Sequence, residues 1–240
     1  MENNKLEYQN STKTLSNSFV ANVFMWMFIA LGITAITAYM FGTNAELLSL
    51  LLAHKADGSV GISIFGWVVM LAPLVIVFVM AARVEKMKAS TMLLLYIVYS
   101  ILIGMSLSFI FWAYTSASIF KTFVIAGGMF GIMAIVGYTT NTDLTKLGSL
   151  LIMGLIGIII ASLINMFMGS ERLDYIISIL GVIIFTGLTA YDVQKIKQIG
   201  MVGMDNDEGM MKITIQAALN LYLDFLNLFL YLLRFFGKQK

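Results

Sequence analysis

Seven long apolar stretches, separated by polar segments, dominate the pattern of hydrophobic positions along the chain. A helix needs about 20 apolar residues to cross the hydrocarbon core of a bilayer, and these stretches have about that length. The predicted spans are residues 19–41, 62–82, 91–114, 119–138, 147–168, 175–191 and 213–236. The pattern therefore predicts an all-α membrane protein, a bundle of seven transmembrane helices.

The polar segments between the spans are short, so we expect one transmembrane domain over residues 19–237. A polar tail, residues 1–18, precedes it, and residues 238–240 follow it. The first tail has mixed charge and lacks an apolar core behind a basic start, so a cleaved signal peptide is not expected. The longest predicted linkers are residues 42–61 and 192–212.

Composition supports this class and excludes others. Hydrophobic residues make up 60% of the chain and charged residues 12%, against about 25% charged in a soluble domain. The chain has no cysteine, which excludes a disulfide framework and a thiolate metal site. No basic run is interleaved with aromatic residues, so nucleic acid is not an expected partner. The expected surroundings are the lipid bilayer, and no cofactor is expected.

The basic residues orient the predicted spans. Lysine and arginine are more frequent in the segments that share a side with the N-terminus, which predicts a cytoplasmic N-terminus. The side of the C-terminus stays open, because Arg234, Lys238 and Lys240 would lie outside if the last span crosses fully.

Polar residues of the last predicted span follow one line. At about 100° per residue they fall within an arc of roughly 120°, opposite a continuous apolar side. We call this set the polar stripe: Lys212, Gln216, Asn220, Asp224, Asn227, Tyr231 and Arg234. Unpaired polar groups are costly in lipid, so the stripe must face other helices or water. Gln216, Asn220, Asn227 and Tyr231 are therefore candidates for lining a pore.

Asp224 lies near the middle of the polar stripe. An aspartate at the centre of a span costs roughly 3 kcal/mol on insertion scales, which makes it a candidate functional residue. The structural alternative is an aspartate that holds helices together, with Asn220 and Asn227 as hydrogen-bond partners. An asparagine would do that at lower cost, which favours a functional role.

Two further charged residues are ambiguous in the sequence. Asp192 follows the sixth predicted span about one turn before Lys195, so an ordinary ion pair at the membrane interface explains it equally well. Arg83 closes the second span, where a lysine or arginine commonly reaches the inner surface. The functional alternative for Arg83 is a latch, held by an aspartate across a helix interface.

Two segments carry a resemblance to a known family. Residues 186–197, TGLTAYDVQKIK, and residues 218–234, ALNLYLDFLNLFLYLLR, resemble the signature segments of the Bax inhibitor-1 family of membrane proteins, and residues 19–38 and 141–157 are also similar. The resemblance implies a seven-helix bundle in which the last helix is central, and a calcium leak that depends on pH. It implies that Asp192 and Asp224 form a pair and that Arg83 is the latch.

The resemblance also implies a setting. The chain lacks a long basic C-terminal tail, which makes it more similar to the bacterial members, and those lie in the inner membrane. Some of them associate with a membrane-bound protease, so such a protease is an implied partner beside calcium and protons. Eukaryotic members restrain cell death.

These observations favour a calcium leak gated by the aspartate pair. Two carboxylates in contact share a proton, and their hard oxygen atoms suit calcium, so Asp192 and Asp224 are the expected calcium ligands. When deprotonated, the pair would hold Arg83 and close the path, although protonation also removes the cation site. Helix rise alone does not predict the pairing. At about 1.5 Å per residue, Asp192 would lie about 5 Å below the membrane interface and Asp224 about 18 Å below it.

Other functions remain open at this stage. A zinc hydrolase or serine protease is excluded because His54 lies outside every predicted span, so an enzyme is not expected. An intramembrane aspartyl protease needs only two neighbouring aspartates and stays conceivable. The further alternatives are a proton-coupled cation exchanger, and a membrane regulator of a protease or of a stress or cell-death pathway that transports nothing.

Overall fold

The protein is a seven-helix membrane bundle, as the hydrophobic pattern predicts. A computed structural model describes the backbone of residues 2–54, 59–202 and 206–240, and the side chains of residues 16–53, 59–202 and 206–240. Seven of its helices are long and apolar enough to span a membrane. The spans are Ser16–Thr43, Ile64–Arg83, Ala89–Ala113, Ser116–Thr139, Thr145–Met168, Glu171–Val202 and Asp207–Phe236.

The described residues form nine helices and two short strands. In chain order they are α1 (Glu2–Thr43), α2 (Ala45–Leu51), β1 (Leu52–His54), β2 (Val60–Ile62), α3 (Ile64–Arg83), α4 (Ala89–Leu107), α5 (Ile110–Ala113), α6 (Ser116–Thr139), α7 (Thr145–Met168), α8 (Glu171–Val202) and α9 (Asp207–Phe236). The third span is interrupted between α4 and α5. The last span is the most buried, with 67% of its most apolar stretch inside the protein.

The first predicted linker, residues 42–61, has structure that the sequence did not predict. Asn44 caps α2, because its Oδ1 accepts hydrogen bonds from the backbone N–H groups of Glu46 and Leu47. β1 and β2 then pair in an antiparallel hairpin, with Ala53 opposite Gly61. The side chain of His54, in β1, and residues 55–58 at the tip lie outside the described residues.

The prediction of a second long linker, residues 192–212, is wrong over most of that range. α8 continues through Val202, and α9 already begins at Asp207, so the sixth and seventh spans are both longer than the apolar stretches that predicted them. A polar helical turn is compatible with the interior when its side chains find partners. Asp205, in the acidic segment of this linker, lies outside the described residues.

The chain divides into two compact units. One comprises residues 1–24, 116–203 and 217–238, and the other comprises residues 25–115, 204–216 and 239–240. In the second unit α1 is joined to α4 by hydrogen bonds from Thr34 Oγ1 to the Ser100 carbonyl and from Tyr96 Oη to the Trp26 carbonyl. Ser106 Oγ donates to the Val69 carbonyl and joins α4 to α3.

In the first unit, glycines bring α8 close to its neighbours. A Cβ at Gly137 of α6 would overlap the carbonyl of Ala190 in α8, and a Cβ at Gly148 of α7 would lie 2.5 Å from the Tyr191 ring. Gly127 and Gly131 of α6 have the spacing typical of closely packed membrane helices, but no atom lies within 4 Å of a Cβ added at either. Close packing of α6 against α8 therefore occurs at Gly137 and not at Gly127 or Gly131.

Candidate ion site

Asp224 and Asp192 come together in the first unit. Asp224 lies in α9 and is only 6% exposed, and its Oδ2 is buried with no hydrogen-bond donor among the described residues. Asp192 projects from α8, is half-buried, and lies within hydrogen-bonding reach of the Asp224 carboxyl. We call these two residues the aspartate pair. The pairing that the resemblance implied is therefore present, whereas a role in ion binding stays a prediction.

Contact between two carboxyl groups has a direct chemical consequence. Two negative charges this close repel strongly in a poorly hydrated place, so the pair either shares a proton or takes up a cation. The nearby positive charge is Lys195 of α8, which acts on Asp192 without forming an ion pair with it. An interfacial ion pair between Asp192 and Lys195 is therefore not what the structure contains.

The polar stripe of α9 is only partly buried, in contrast to the opposite side of the helix. Asn220 and Arg234 are exposed, and Gln216, Asn227 and Tyr231 are half-buried. The apolar side is buried throughout, at Ala218, Leu221, Phe225, Leu228 and Leu232. The apolar side of the last helix therefore packs inside the protein.

The two asparagines are not the partners of Asp224. Asn227 donates its Nδ2 hydrogen to the Leu223 carbonyl of its own helix at 2.8 Å, and Asn220 is exposed one turn away. The side-chain Oε1 of Gln216 is buried without a hydrogen-bond partner among the described residues. The alternative in which Asn227 and Asn220 hold Asp224 as a structural contact therefore loses its support.

Two turns along α9 from Asp224, the Tyr231 side chain packs between α9 and α8. Its ring lies where a Cβ of Gly181 would be, with Cγ at 2.5 Å from that position. It stacks on Phe185, with ring centroids 5.8 Å apart and an angle of 24° between the planes. Gly181, Phe185 and Asp192 lie on one face of α8, as the spacing along the helix predicts.

The same two helices also share an ion pair. Arg234, the last member of the polar stripe, contacts Asp174 at the start of α8, with 3.0 Å between Nη1 and Oδ1. Both side chains are close to half exposed at the protein surface, where ion pairs contribute little. The N-terminal end of α8 and the C-terminal end of α9 are therefore joined by a weak ionic contact, in addition to the contact of the Tyr231 ring.

Arg83 lies in the other unit, at the C-terminal end of α3, where its side chain is exposed. Its backbone carbonyl accepts hydrogen bonds from the N–H groups of Lys86 and Met87, which close the turn after the helix. The role of Arg83 as a latch stays a prediction.

Sequence reasoning missed the polar residues that hold α8 at the end near Asp192. Gln194 is 7% exposed, and its amide accepts from the Leu144 N–H at 2.9 Å and donates to the Thr142 carbonyl at 2.8 Å. Lys197 Nζ donates to the Tyr138 carbonyl at 2.8 Å and lies 5.0 Å from the Tyr138 ring centroid. The hydrophobic pattern places both residues in the predicted linker 192–212, because they follow the sixth apolar stretch.

A calcium ion at the aspartate pair would need ligands beyond the two carboxylates. Calcium takes 6–8 oxygen atoms, and two carboxylates supply at most four. Among the described residues no group of three or more His, Cys, Asp or Glu side chains is placed to hold a metal. The two carboxylates alone would therefore leave at least two ligand positions of a calcium ion to other oxygen atoms.

The molecule is thus a seven-helix membrane protein with two carboxyl groups in contact inside it. The family model described as inhibitor of apoptosis-promoting Bax1 matches residues 16–240. The chain belongs to this family, the Bax inhibitor-1 family, as the two signature segments indicated.

Curated relatives match nearly the whole chain. The inner membrane protein YbhL of Escherichia coli K12 is 42% identical over 224 residues, which cover 93% of this chain and 92% of YbhL. An uncharacterized protein of Borreliella burgdorferi is 46% identical over 227 residues, which cover 94% of each chain. The uncharacterized protein RP147 of Rickettsia prowazekii is 47% identical over 176 residues, which cover 73% of this chain and 74% of RP147.

Proposed function

We propose that this protein is a pH-sensitive calcium leak of a bacterial inner membrane. The aspartate pair is its ion and proton site, and Arg83 is its latch. The observation that carries the proposal is the contact of Asp192 with Asp224, whose Oδ2 has no hydrogen-bond donor among the described residues. A buried carboxyl group without a donor needs a proton or a cation, and both are expected to reach this site.

Two features support passage of an ion along the last helix. The polar stripe of α9 extends along the helix in both directions from Asp224, and several of its members are partly exposed. Carboxylate and amide oxygens are hard ligands, which favour calcium over softer metals. The inner-membrane location rests on YbhL, whose name places that relative in the inner membrane, and a cytoplasmic N-terminus rests on the distribution of basic residues.

Gating follows from the chemistry of the pair. Deprotonated carboxylates hold a cation or Arg83 and keep the path closed, and protonation removes that attraction. The shared proton makes the net charge of the pair depend on pH. Protonation also weakens calcium binding. We therefore expect the flux to change with pH, and the measurement decides whether it rises or falls as the pH is lowered.

The experiment is calcium flux into liposomes that contain the purified protein, measured from mildly acidic to mildly alkaline pH. The variants are Asp224→Asn, Asp192→Asn and Arg83→Ala. The matched control is Glu46→Gln, which removes an exposed carboxylate outside the spans. The proposal expects a pH-dependent flux that the first three variants alter and the control preserves.

Other outcomes would favour other functions. Absence of flux at every pH, from folded protein, would overturn the leak and favour a regulator that transports nothing, a role that the family description suggests for its members. Flux driven by a pH gradient, and not merely gated by pH, would indicate a proton-coupled exchanger. Peptide cleavage that both aspartate variants abolish would indicate an aspartyl protease.

A further inference from the structure

We propose that Gln194 is the positioning residue of the aspartate pair: its amide fixes the rotation of α8 about its own axis, and that rotation presents Asp192 to Asp224. The bond pattern supports this role directly. The Gln194 side chain bridges two backbone groups of the α6–α7 turn, residues 140–144, through the Leu144 N–H and the Thr142 carbonyl. The inference rests on the aspartate pair that the proposed function uses.

Helix geometry connects the two residues. At about 100° per residue, Gln194 lies about 200° around α8 from Asp192, so the two side chains leave opposite sides of the helix. Ala190 and Lys197 share the side of Gln194. The contacts at Ala190, Gln194 and Lys197 therefore lie behind the face that carries Asp192, whereas Tyr191, which packs on Gly148, lies about 100° to one side.

Each of the three anchors restrains a different degree of freedom. Ala190 meets Gly137 through backbone atoms, which fixes the distance between α8 and α6 but leaves rotation free. Lys197 bonds the Tyr138 carbonyl through a long, half-buried side chain that has several rotamers. The Gln194 amide is planar and makes one hydrogen bond as donor and one as acceptor. Of the three anchors, it is therefore the one that requires a single orientation of α8 about its axis.

The buried environment makes this bridge selective. Gln194 is flanked by Val193 and Ile196, both almost fully buried, so an alternative rotamer would leave its amide without partners among apolar side chains. Leu144 is the N-cap residue of α7, and its own side chain makes no capping hydrogen bond. Its backbone N–H donates to Gln194 Oε1. Both partners lose a hydrogen bond when α8 rotates.

Site-directed cross-linking tests the inference, because the chain contains no native cysteine. One pair of cysteines replaces the aspartate pair, Asp192→Cys with Asp224→Cys. A second pair, Gly181→Cys with Tyr231→Cys, joins the same two helices away from Gln194. Each pair is treated with a short bifunctional thiol reagent in lipid nanodiscs, with Gln194 intact and with Gln194→Leu. The control is Gln198→Leu, which changes an exposed glutamine one turn further along α8.

Loss of the Gln194 bridge is expected to lower the cross-linking rate of the first pair about tenfold, as expected for the loss of two buried hydrogen bonds. The second pair and the Gln198→Leu control are expected to keep their rates. Gln194→Glu keeps the acceptor for Leu144 but loses the donor to Thr142, so an intermediate rate is expected, and this variant carries the test if Gln194→Leu does not fold.

Hydrogen exchange at the Leu144 amide provides an independent readout, and we expect it to become faster in Gln194→Leu alone. Three results would overturn the inference: an unchanged rate for the first pair, an equal loss at both pairs, or unchanged exchange at Leu144. None of these measurements involves ion flux. A wild-type protein that does not conduct would thus overturn the leak and leave the positioning role standing.

Discussion

The carboxyl group of Asp192 in α8 meets that of Asp224 in α9, although the two residues lie in helices that the hydrophobic pattern set at different depths. α8 continues well past Asp192, so this residue belongs to the interior of a long helix and not to its end. The two lysines that follow it, Lys195 and Lys197, do not mark the end of the helix. The contact follows from that extension.

Replacing Asp224 with asparagine should make thermal stability less dependent on pH. An asparagine amide can donate to the Asp192 carboxylate without a shared proton, so the contact persists whether or not a proton is available. Melting temperatures of Asp224→Asn and of the wild-type protein in detergent, measured from mildly acidic to mildly alkaline pH, check this. Parallel pH curves for the two proteins would show that the contact does not hold a titrating proton.

A methyl group at Gly181 should destabilise the protein, whereas one at Gly131 should not. Gly181→Ala forces the Tyr231 ring to move, and overpacking of this kind costs about 1–3 kcal/mol. Gly131→Ala meets open space and removes a flexible residue from a helix, which is expected to stabilise by up to about 1 kcal/mol. Thermal unfolding of both variants in the same detergent checks the contrast, which equal effects would contradict.

The ion pair between Arg234 and Asp174 should contribute little to stability. Both side chains are close to half exposed, and exposed pairs are worth about 0.2–1 kcal/mol. A double-mutant cycle with Arg234→Gln and Asp174→Asn is expected to give a coupling energy in that range, which decreases as salt is added. A coupling of several kcal/mol would mean that this contact is shielded from water in the membrane.

The start of α7 should respond to pH only under acidic conditions. The side-chain and backbone groups of Thr145 donate hydrogen bonds to Asp143 and hold the pKa of that carboxyl below its usual value. A lowered pKa means that the stabilisation is present above the ordinary pKa of aspartate and is lost as pH falls through the lowered one. Hydrogen exchange at the Thr145 amide, compared with Asp143→Ala, checks this, and protection lost at neutral pH would contradict it.

The sequence alone was sufficient for the seven spans, and it singled out Asp224 as a candidate functional residue. Span prediction succeeds because lipid requires a long apolar run wherever a helix faces it, and that requirement acts on each segment separately. Asp224 is recognisable for the same reason, since a carboxylate in such a run is costly and needs a purpose. Family membership followed from the two signature segments around Asp192 and Asp224.

The tertiary structure decided which residues act together. Hydropathy predicts a linker from residue 192 to 212, because it treats each segment separately. It cannot register that Gln194 and Lys197 find backbone partners in α6 and in the α6–α7 turn. Likewise, Gly127 and Gly137 are equivalent in sequence, and only packing against Ala190 distinguishes them. Burial and hydrogen bonding depend on residues far apart in the chain, so only the folded protein determines that Asp192 meets Asp224.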